Sequence, residues 1–279
     1  MSGGSLGAFG YLSAGDDRWT RVVRGTEVVF RELTTLAELA PLEQLQREVM
    51  GSTELDTMPA NALIVIPDTG GAVLAAEVGG ELAGALWGFG GFFDGRPRIV
   101  SDWMGVRAPF RSLGLGAELK RLQAALALAA GVAEIVWTVD PLRAANARLN
   151  VAKLGATSRR YEVDRYGAYA EGLYGTMPTD RLHLAWDLRD PAVTAHLGGE
   201  PSPAASPAGR NPPADQIVVP IPADIDRLLA ADPDAALAAR LRVREQIQSA
   251  FAAGYVLDGH RPARDGLDPA HVLTRRETR

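Results

Sequence analysis

The chain contains no cysteine, which removes disulfides, thiolate nucleophiles and cysteine-ligated zinc together and matches a reducing compartment. Its four histidines, His183, His196, His260 and His271, stand far apart without ligand-like spacing, so no metal site is expected. No apolar run approaches the roughly 20 residues that a bilayer span needs, so no membrane partner is expected. There is no excess of positive charge either. Lys and Arg number 29 against 34 Asp and Glu, a formal net charge of −5, which gives the chain no electrostatic reason to bind nucleic acid. The opening stretch MSGGSLGAFGYLSAGDDRW lacks both a basic region and a continuous apolar core, so it does not read as a secretory signal. Residues 1–25 read instead as a disordered leader, and the cytoplasm is the expected location.

What is present is ordinary globular chain. Over 279 residues, 47% are hydrophobic and 23% charged, enough to bury a sizeable core. EVVFREL reads as a strand, TLAELAPLEQLQREVMG as an amphipathic helix interrupted near Pro41, and MPANALIVI as a second helix. AVLAAEV and ELAGALWGF flank Gly79-Gly80, the two-residue signature of a hairpin. A strand from about Arg98 to Val106 follows. Leu115, Leu119, Leu122 and Leu126 then share one helical face, with Gly131 as the stop. AEIVWTV reads as a buried strand. DPLRAANARLNVAKLGA reads as a helix with Asp140 as N-cap and Gly155 just past its end. Strands near Thr157–Val163 and Leu182–Leu188 complete this part, and residues 190–215 form a Pro/Gly-rich linker. Beyond it come two helices, IPADIDRLLAAD and PDAALAARLRVREQIQSAFAAG, a strand at YVLDGH and a polar tail.

The chemistry centres on VRAPFRSLGLGAEL, residues 106–119. A Walker loop needs Gly-Lys-Ser/Thr at its end, whereas Ala117 and Glu118 follow Gly116 here. A dinucleotide fingerprint turns directly from strand into glycine, and here seven residues, Arg107 to Leu113, intervene before Gly114. The third option is a pyrophosphate held by the free amides and dipole of a helix N-terminus. Arg111-Ser112-Leu113-Gly114-Leu115-Gly116 has the form R-x-x-G-x-G between strand and helix. In that setting it resembles the GNAT superfamily of acyl-CoA-dependent N-acyltransferases, whose signature is Q/R-x-x-G-x-G/A. WTVDPLRAANARLNVAKLGA and PTDR resemble a little-characterised branch of it, which also carries a C-terminal extension.

The resemblance implies an α/β (α+β) fold with a mixed, mostly antiparallel central sheet and helices on both faces. It implies an acyltransferase domain over 26–189 and a helical and strand extension over 216–279 packing upon it. It implies acetyl-CoA as cosubstrate, no metal, and an amine of a small-molecule metabolite as acceptor; a homodimer is left open. The backbone of Trp103, Met104, Gly105 and Val106 would pair with the pantetheine arm. Amides from Arg111, Ser112, Leu113, Gly114, Leu115, Gly116 and Ala117 would hold the pyrophosphate, with Arg111 adding charge. Arg107 is a second cation nearby or simply a solvated surface charge. Asn146, Asn150 and Lys153 would put one helical face towards the cofactor. Asp102 is the first choice of general base, against a plain strand-end acid. Many family members carry a tyrosine acid where this chain has Val151, which leaves Asn150, a water, or a tyrosine from elsewhere, Tyr161 among them. Tyr161, Tyr166, Tyr169 and Tyr174 would line the acceptor side, against a plain packing or surface role for each. PTDR reads most simply as a turn held by an Asp–Arg interaction. The alternative to an acetyltransferase is a CoA-binding or sensing protein with little or no turnover, and a protein–protein adaptor is a third class.

Overall fold

A computed structural model describes residues 6–167, 177–197 and 215–275. The chain forms two compact units. One comprises Met1–Val136 with Asp187–Arg189 and Leu197–Gly199; the other comprises Trp137–Trp186, Asp190–His196 and Glu200–Arg279.

In the first unit six strands pair antiparallel in chain order: β1 (Leu12–Ser13), β2 (Arg18–Val23), β3 (Thr26–Glu32), β4 (Ala72–Val78), β5 (Glu81–Phe93) and β6 (Arg96–Val106). Period-two alternation explains why both faces of this sheet are covered. Leu74 and Ala76 of β4 pack with Leu115, Leu119 and Leu122 of helix α4 (Leu115–Ala129) on one face. Val73 and Ala75 pack on the other against α1 (Leu36–Leu39), α2 (Pro41–Met50) and α3 (Ala60–Leu63), through Leu39, Leu42, Leu45 and Leu63. The break at Pro41 and the Gly79-Gly80 hairpin, with φ of +60° and +83°, stand where the sequence puts them.

The expected leader is a correction. From Leu6 onward it is folded: Tyr11 and Trp19 are buried in the same core as Phe30, and the Tyr11 hydroxyl donates to the Glu118 carbonyl at 2.8 Å. A few large apolar side chains among glycines and serines supply the burial that composition alone understates.

β7 (Glu134–Val139) pairs parallel to β6 at Ile99↔Ile135 and Val100↔Val136. Among the described residues no helix is long and apolar enough to cross a membrane.

In the second unit β8 (Thr157–Glu162) pairs antiparallel with β9 (Arg181–Asp187) and with β11 (Tyr255–Arg261). β12 (Ala270–Arg275) then lies between β11 and β10 (Gln216–Pro220). α5 (Ala144–Ala147) runs into a π-helical stretch at Arg148–Lys153. α6 spans Pro191–Leu197, inside the expected linker; 198–214 lie outside the described residues. α7 (Ile225–Ala231) and α8 (Pro233–Ala252) are capped by the carboxylates of Asp224 and Asp232. Val243 and Ile247 of α8 share a core with Val151, Leu182, Leu257 and Leu273. The extension therefore shares one sheet and one core with strands β8 and β9, and the second compact unit already begins at Trp137 rather than at residue 190. The polar tail also contains a strand, with Ala270, His271 and Leu273 buried.

Asp140 is a further correction. The helix begins only at Ala144, and the Asp140 carboxylate accepts the Leu142 amide at 2.8 Å and both forks of Arg240 at 2.7 and 2.8 Å. Burial raises this carboxyl, but the hydrogen bonds and charge of Arg240 outweigh burial and leave it below the ordinary aspartate range. The pair therefore stabilises above that range, and its contribution is lost as pH falls through the folded-state value. Arg240→Met leaves a buried charge without its partner and is expected to cost about 3–5 kcal/mol at pH 7 in urea unfolding. The gap to the parent should narrow in acid as Asp140 protonates; a loss that is small and independent of pH would contradict the assignment.

Candidate functional site

The site grows from β6. Trp87 lies opposite Trp103 and the next residue, Gly88, lies opposite Ser101, so Asp102 is the extra residue of a β-bulge. The bulge sends Asp102 and Trp103 to the same face. Trp103 stacks on Trp87 with ring centroids 4.4 Å apart, and the Trp87 indole N–H donates to Asp102 Oδ2 at 3.1 Å. The Asp102 side chain is thus held in place while the residue stays exposed. Ser101 goes to the opposite face, where its hydroxyl accepts from Lys120 Nζ of α4 at 2.7 Å. Gly105 is dictated by this packing, because a Cβ there would sit 2.3 Å from the Trp103 ring. Pairing with β7 is recorded only at Ile99 and Val100. Among the described residues, Ser101–Val106 take no strand partner on the edge away from β5.

After Val106 the chain makes a 3₁₀ turn, Ala108–Leu113, and reaches Gly114 at φ +82°, a left-handed conformation that side chains other than glycine's disfavour. α4 starts at Leu115 with no side-chain cap, so its first amides lie at the positive end of the helix dipole, and the Ala117 amide donates to the Gly114 carbonyl at 3.0 Å. The acid of the first turn, Glu118, is engaged by Arg21 at 3.2 Å and by Tyr11. Arg111 folds back to donate from Nε to the Val106 carbonyl at 3.2 Å. A second guanidinium, absent from the sequence reading, comes from the β2–β3 turn: Arg24 donates to the Ser112 carbonyl. Only the hairpin register brings it 88 residues forward in the chain, so no local motif announces it. Arg107 is neither a free cation nor a solvated charge. It donates to Glu48 at 2.7 Å and to the Leu82 carbonyl at 2.9 Å, anchoring the base of the loop.

The structure therefore gathers Asp102, Trp103, Met104, Gly105, Val106 and Arg111 to Ala117 within the first unit. The remaining candidates belong to the second. Asn146 on α5 is half-buried; Asn150, in the π-helical stretch, is buried, and Lys153 is half-buried. A π-helical turn does not keep the spacing of an α-helical face that these three were expected to share. Val151 is a core residue. Tyr161 donates its hydroxyl to Asp180 Oδ2 at 2.6 Å, and burial first, then Asp180, pushes its ionisation upward. Tyr166 donates its backbone amide to Thr179, while Tyr169 and Tyr174 lie outside the described residues. The expected Asp–Arg interaction within PTDR forms differently. Asp180 takes both hydrogen bonds of a fork from Arg244 at 2.8 Å, and Arg181 donates to the Asp180 carbonyl at 2.9 Å.

In the first unit Lys120 is a buried charge. Desolvation lowers its ammonium to about 7, against about 10.4 in the unfolded chain. Between those values the unfolded chain binds the extra proton, so this group makes stability rise with pH; below about 7 its burial penalty is fully present. Lys120→Met is expected to be more stable than the parent at pH 6 by more than about 1 kcal/mol, with the difference closing towards pH 10. Chemical unfolding across that range reads it, and an offset constant with pH would contradict the placement.

No family model matches the chain, and no curated protein matches it. Solved structures do resemble it. An IAA acetyltransferase from Bacillus cereus aligns with TM-score 0.44 at 16% identity, covering 58% of this chain and 99% of that one. A putative acetyltransferase from Salmonella typhimurium with its cofactor acetyl-CoA aligns at 0.49 and 19%, covering 58% and 95%. A GNAT family acetyltransferase from Elizabethkingia anophelis with acetyl-CoA bound aligns at 0.44 and 16%, covering 58% and 98%.

Proposed function

We propose that the chain is a GNAT-type acyltransferase that transfers an acyl group, acetyl in the first instance, from acyl-CoA to an amine of a small-molecule metabolite. One observation carries the reading: β6 is bulged at Asp102, has among the described residues no strand partner along Ser101–Val106 on the edge away from β5, and runs into a helix start without a side-chain cap behind a left-handed Gly114.

The donor set fits coenzyme A. The backbone edge of Trp103 to Val106 offers N–H and C=O groups to an extended amide-bearing arm, as an added strand would. The helix-start amides of Leu115 and Gly116 and the guanidinium groups of Arg111 and Arg24 offer positive or donor character to a pyrophosphate, since Glu118 is engaged by Arg21 and Tyr11. No metal is called for by that set. In the reaction the amine nitrogen bonds to the acyl carbon, the carbon–sulfur bond breaks, and coenzyme A leaves as a thiolate that takes its proton from solvent. Asp102, oriented by the Trp87 indole and open to solvent, takes the proton that the amine must lose. Positioning supplies much of the remaining acceleration. The second reading, a CoA-binding protein without turnover, is favoured by one observation: Val151 stands, buried in the core, where the sequence resemblance calls for a tyrosine acid.

Calorimetry with acetyl-CoA tests the loop. Gly114→Val is expected to weaken binding at least about tenfold, because the backbone loses its left-handed turn; unchanged affinity sinks the pyrophosphate assignment. Thiol release over a panel of amines separates the two readings. With a productive amine, Asp102→Asn should lower kcat by about 100-fold or more while acetyl-CoA affinity stays put. Full activity in that variant removes Asp102 from the chemistry.

A further inference from the structure

Helix α4 sends polar side chains into its apolar interface with the sheet. Lys120 and Gln123, three residues apart and each 3% exposed, sit on the helix that also buries Leu115, Leu119, Leu122 and Leu126. Lys120 Nζ donates to the Ser101 hydroxyl at 2.7 Å. Gln123 comes so close to β5 that a Cβ on Gly88 would sit 2.7 Å from its Nε2. Neither Nε2 nor Oε1 of Gln123 finds a hydrogen-bond partner among the described residues. Both contacts fall on one strand pair, since Gly88 lies opposite Ser101. The acyl-CoA reading uses neither side chain.

Such polarity is costly in that place. An amine must be desolvated to be buried there, so Lys120→Met should stabilise the chain at pH 6. What the polar contact supplies is direction, which apolar packing lacks. The bulge depends on it. Asp102 is the extra residue of β6 only while Ser101 lies opposite Gly88 and Trp103 opposite Trp87. The stack on Trp87 holds the position after Asp102. Lys120 holds the position before it, from the opposite face. Together the two anchors leave Asp102 as the residue to be extruded.

We propose that Lys120, acting through Ser101, is a positioning residue for Asp102: it pins β6 on the α4 side and so keeps the Asp102 carboxylate at the Trp87 indole. The same helix begins at Leu115, so one rigid element ties the amides offered to the pyrophosphate to the strand that carries Asp102. The consequence for turnover rests on the acyl-transfer reading, whereas the placement of the carboxylate does not.

The Trp87 indole N–H, which donates to Asp102, reports that placement directly. In proton–nitrogen correlation spectra of the full chain, Trp87→Phe identifies its resonance, and Asp102→Ala gives the position it takes without the bond. Ser101→Ala and Lys120→Met should each move the resonance at least halfway to that position. Lys120→Met should melt no lower than the parent at pH 6, so its shift cannot be ascribed to a weaker fold. A resonance that stays in place in either folded variant overturns the proposal. With a productive amine, each variant should lower kcat at least about tenfold while acetyl-CoA affinity by calorimetry is unchanged. In an Asp102→Asn background neither should lower kcat further, because both act through that carboxylate; a loss there as large as in the parent also overturns the proposal. A chain that binds acetyl-CoA but acylates no amine fails the acyl-transfer reading and leaves the resonance test to decide this one.

Discussion

A single additional residue in β6 organises the candidate site. Without a bulge at Asp102, strict alternation would send Asp102 and Trp103 to opposite faces of the sheet. With it, both turn towards the indole of Trp87, while Ser101 turns towards Lys120 on the other face. Pairing with β7 ends just before it, at Val100, among the described residues. A bulge increases local twist and bends the strand that carries it. One insertion therefore does two things, baring a backbone edge and fixing a carboxylate beside it.

Sequence patterning revealed the local elements well, for a physical reason. The hairpin at Gly79-Gly80, the break at Pro41 and the leucine face of α4 depend on contacts a few residues apart, and R-x-x-G-x-G is likewise a contiguous signal. What stayed hidden depends on partners far along the chain. Asp140 looks like a cap from its neighbours, yet its partner stands 100 residues away on α8. Asp180 looks paired with the adjacent Arg181, yet it takes the fork of Arg244, 64 residues on. Arg24 reaches the loop only because a hairpin folds it there. The bulge was hidden for a related reason: it is a mismatch between two registers, and neither strand carries it alone.

The N-terminal segment differs in that individual side chains outweigh its average composition. Glycines and serines dominate the stretch before Arg18, but Leu6, Tyr11 and Trp19 each bury nearly their whole surface. Fully burying one large aromatic is worth about 1.5–3 kcal/mol, enough for a few of them to order a segment whose average hydropathy is unremarkable. Tyr11 also donates to the Glu118 carbonyl and side chain on the first turn of α4. The segment that reads as a disordered leader therefore helps hold the acid of the first turn in a network with Arg21.

The C-terminal extension follows from charge as much as from apolar contact. Burying the guanidinium of Arg240 is costly unless it is paired and hydrogen-bonded, and the same holds for the carboxylate of Asp140. Neither residue is tolerable in the folded chain without the other, so α8 and the turn after β7 must be ordered together. Asp180, wholly buried, binds Arg244 of the same helix, the Tyr161 hydroxyl and the Asp164 amide into a second such requirement. Apolar packing alone would hold α8 against the sheet with some freedom of register, since hydrophobic contact is non-directional. Two forked ion pairs one helical turn apart, at Arg240 and Arg244, remove that freedom.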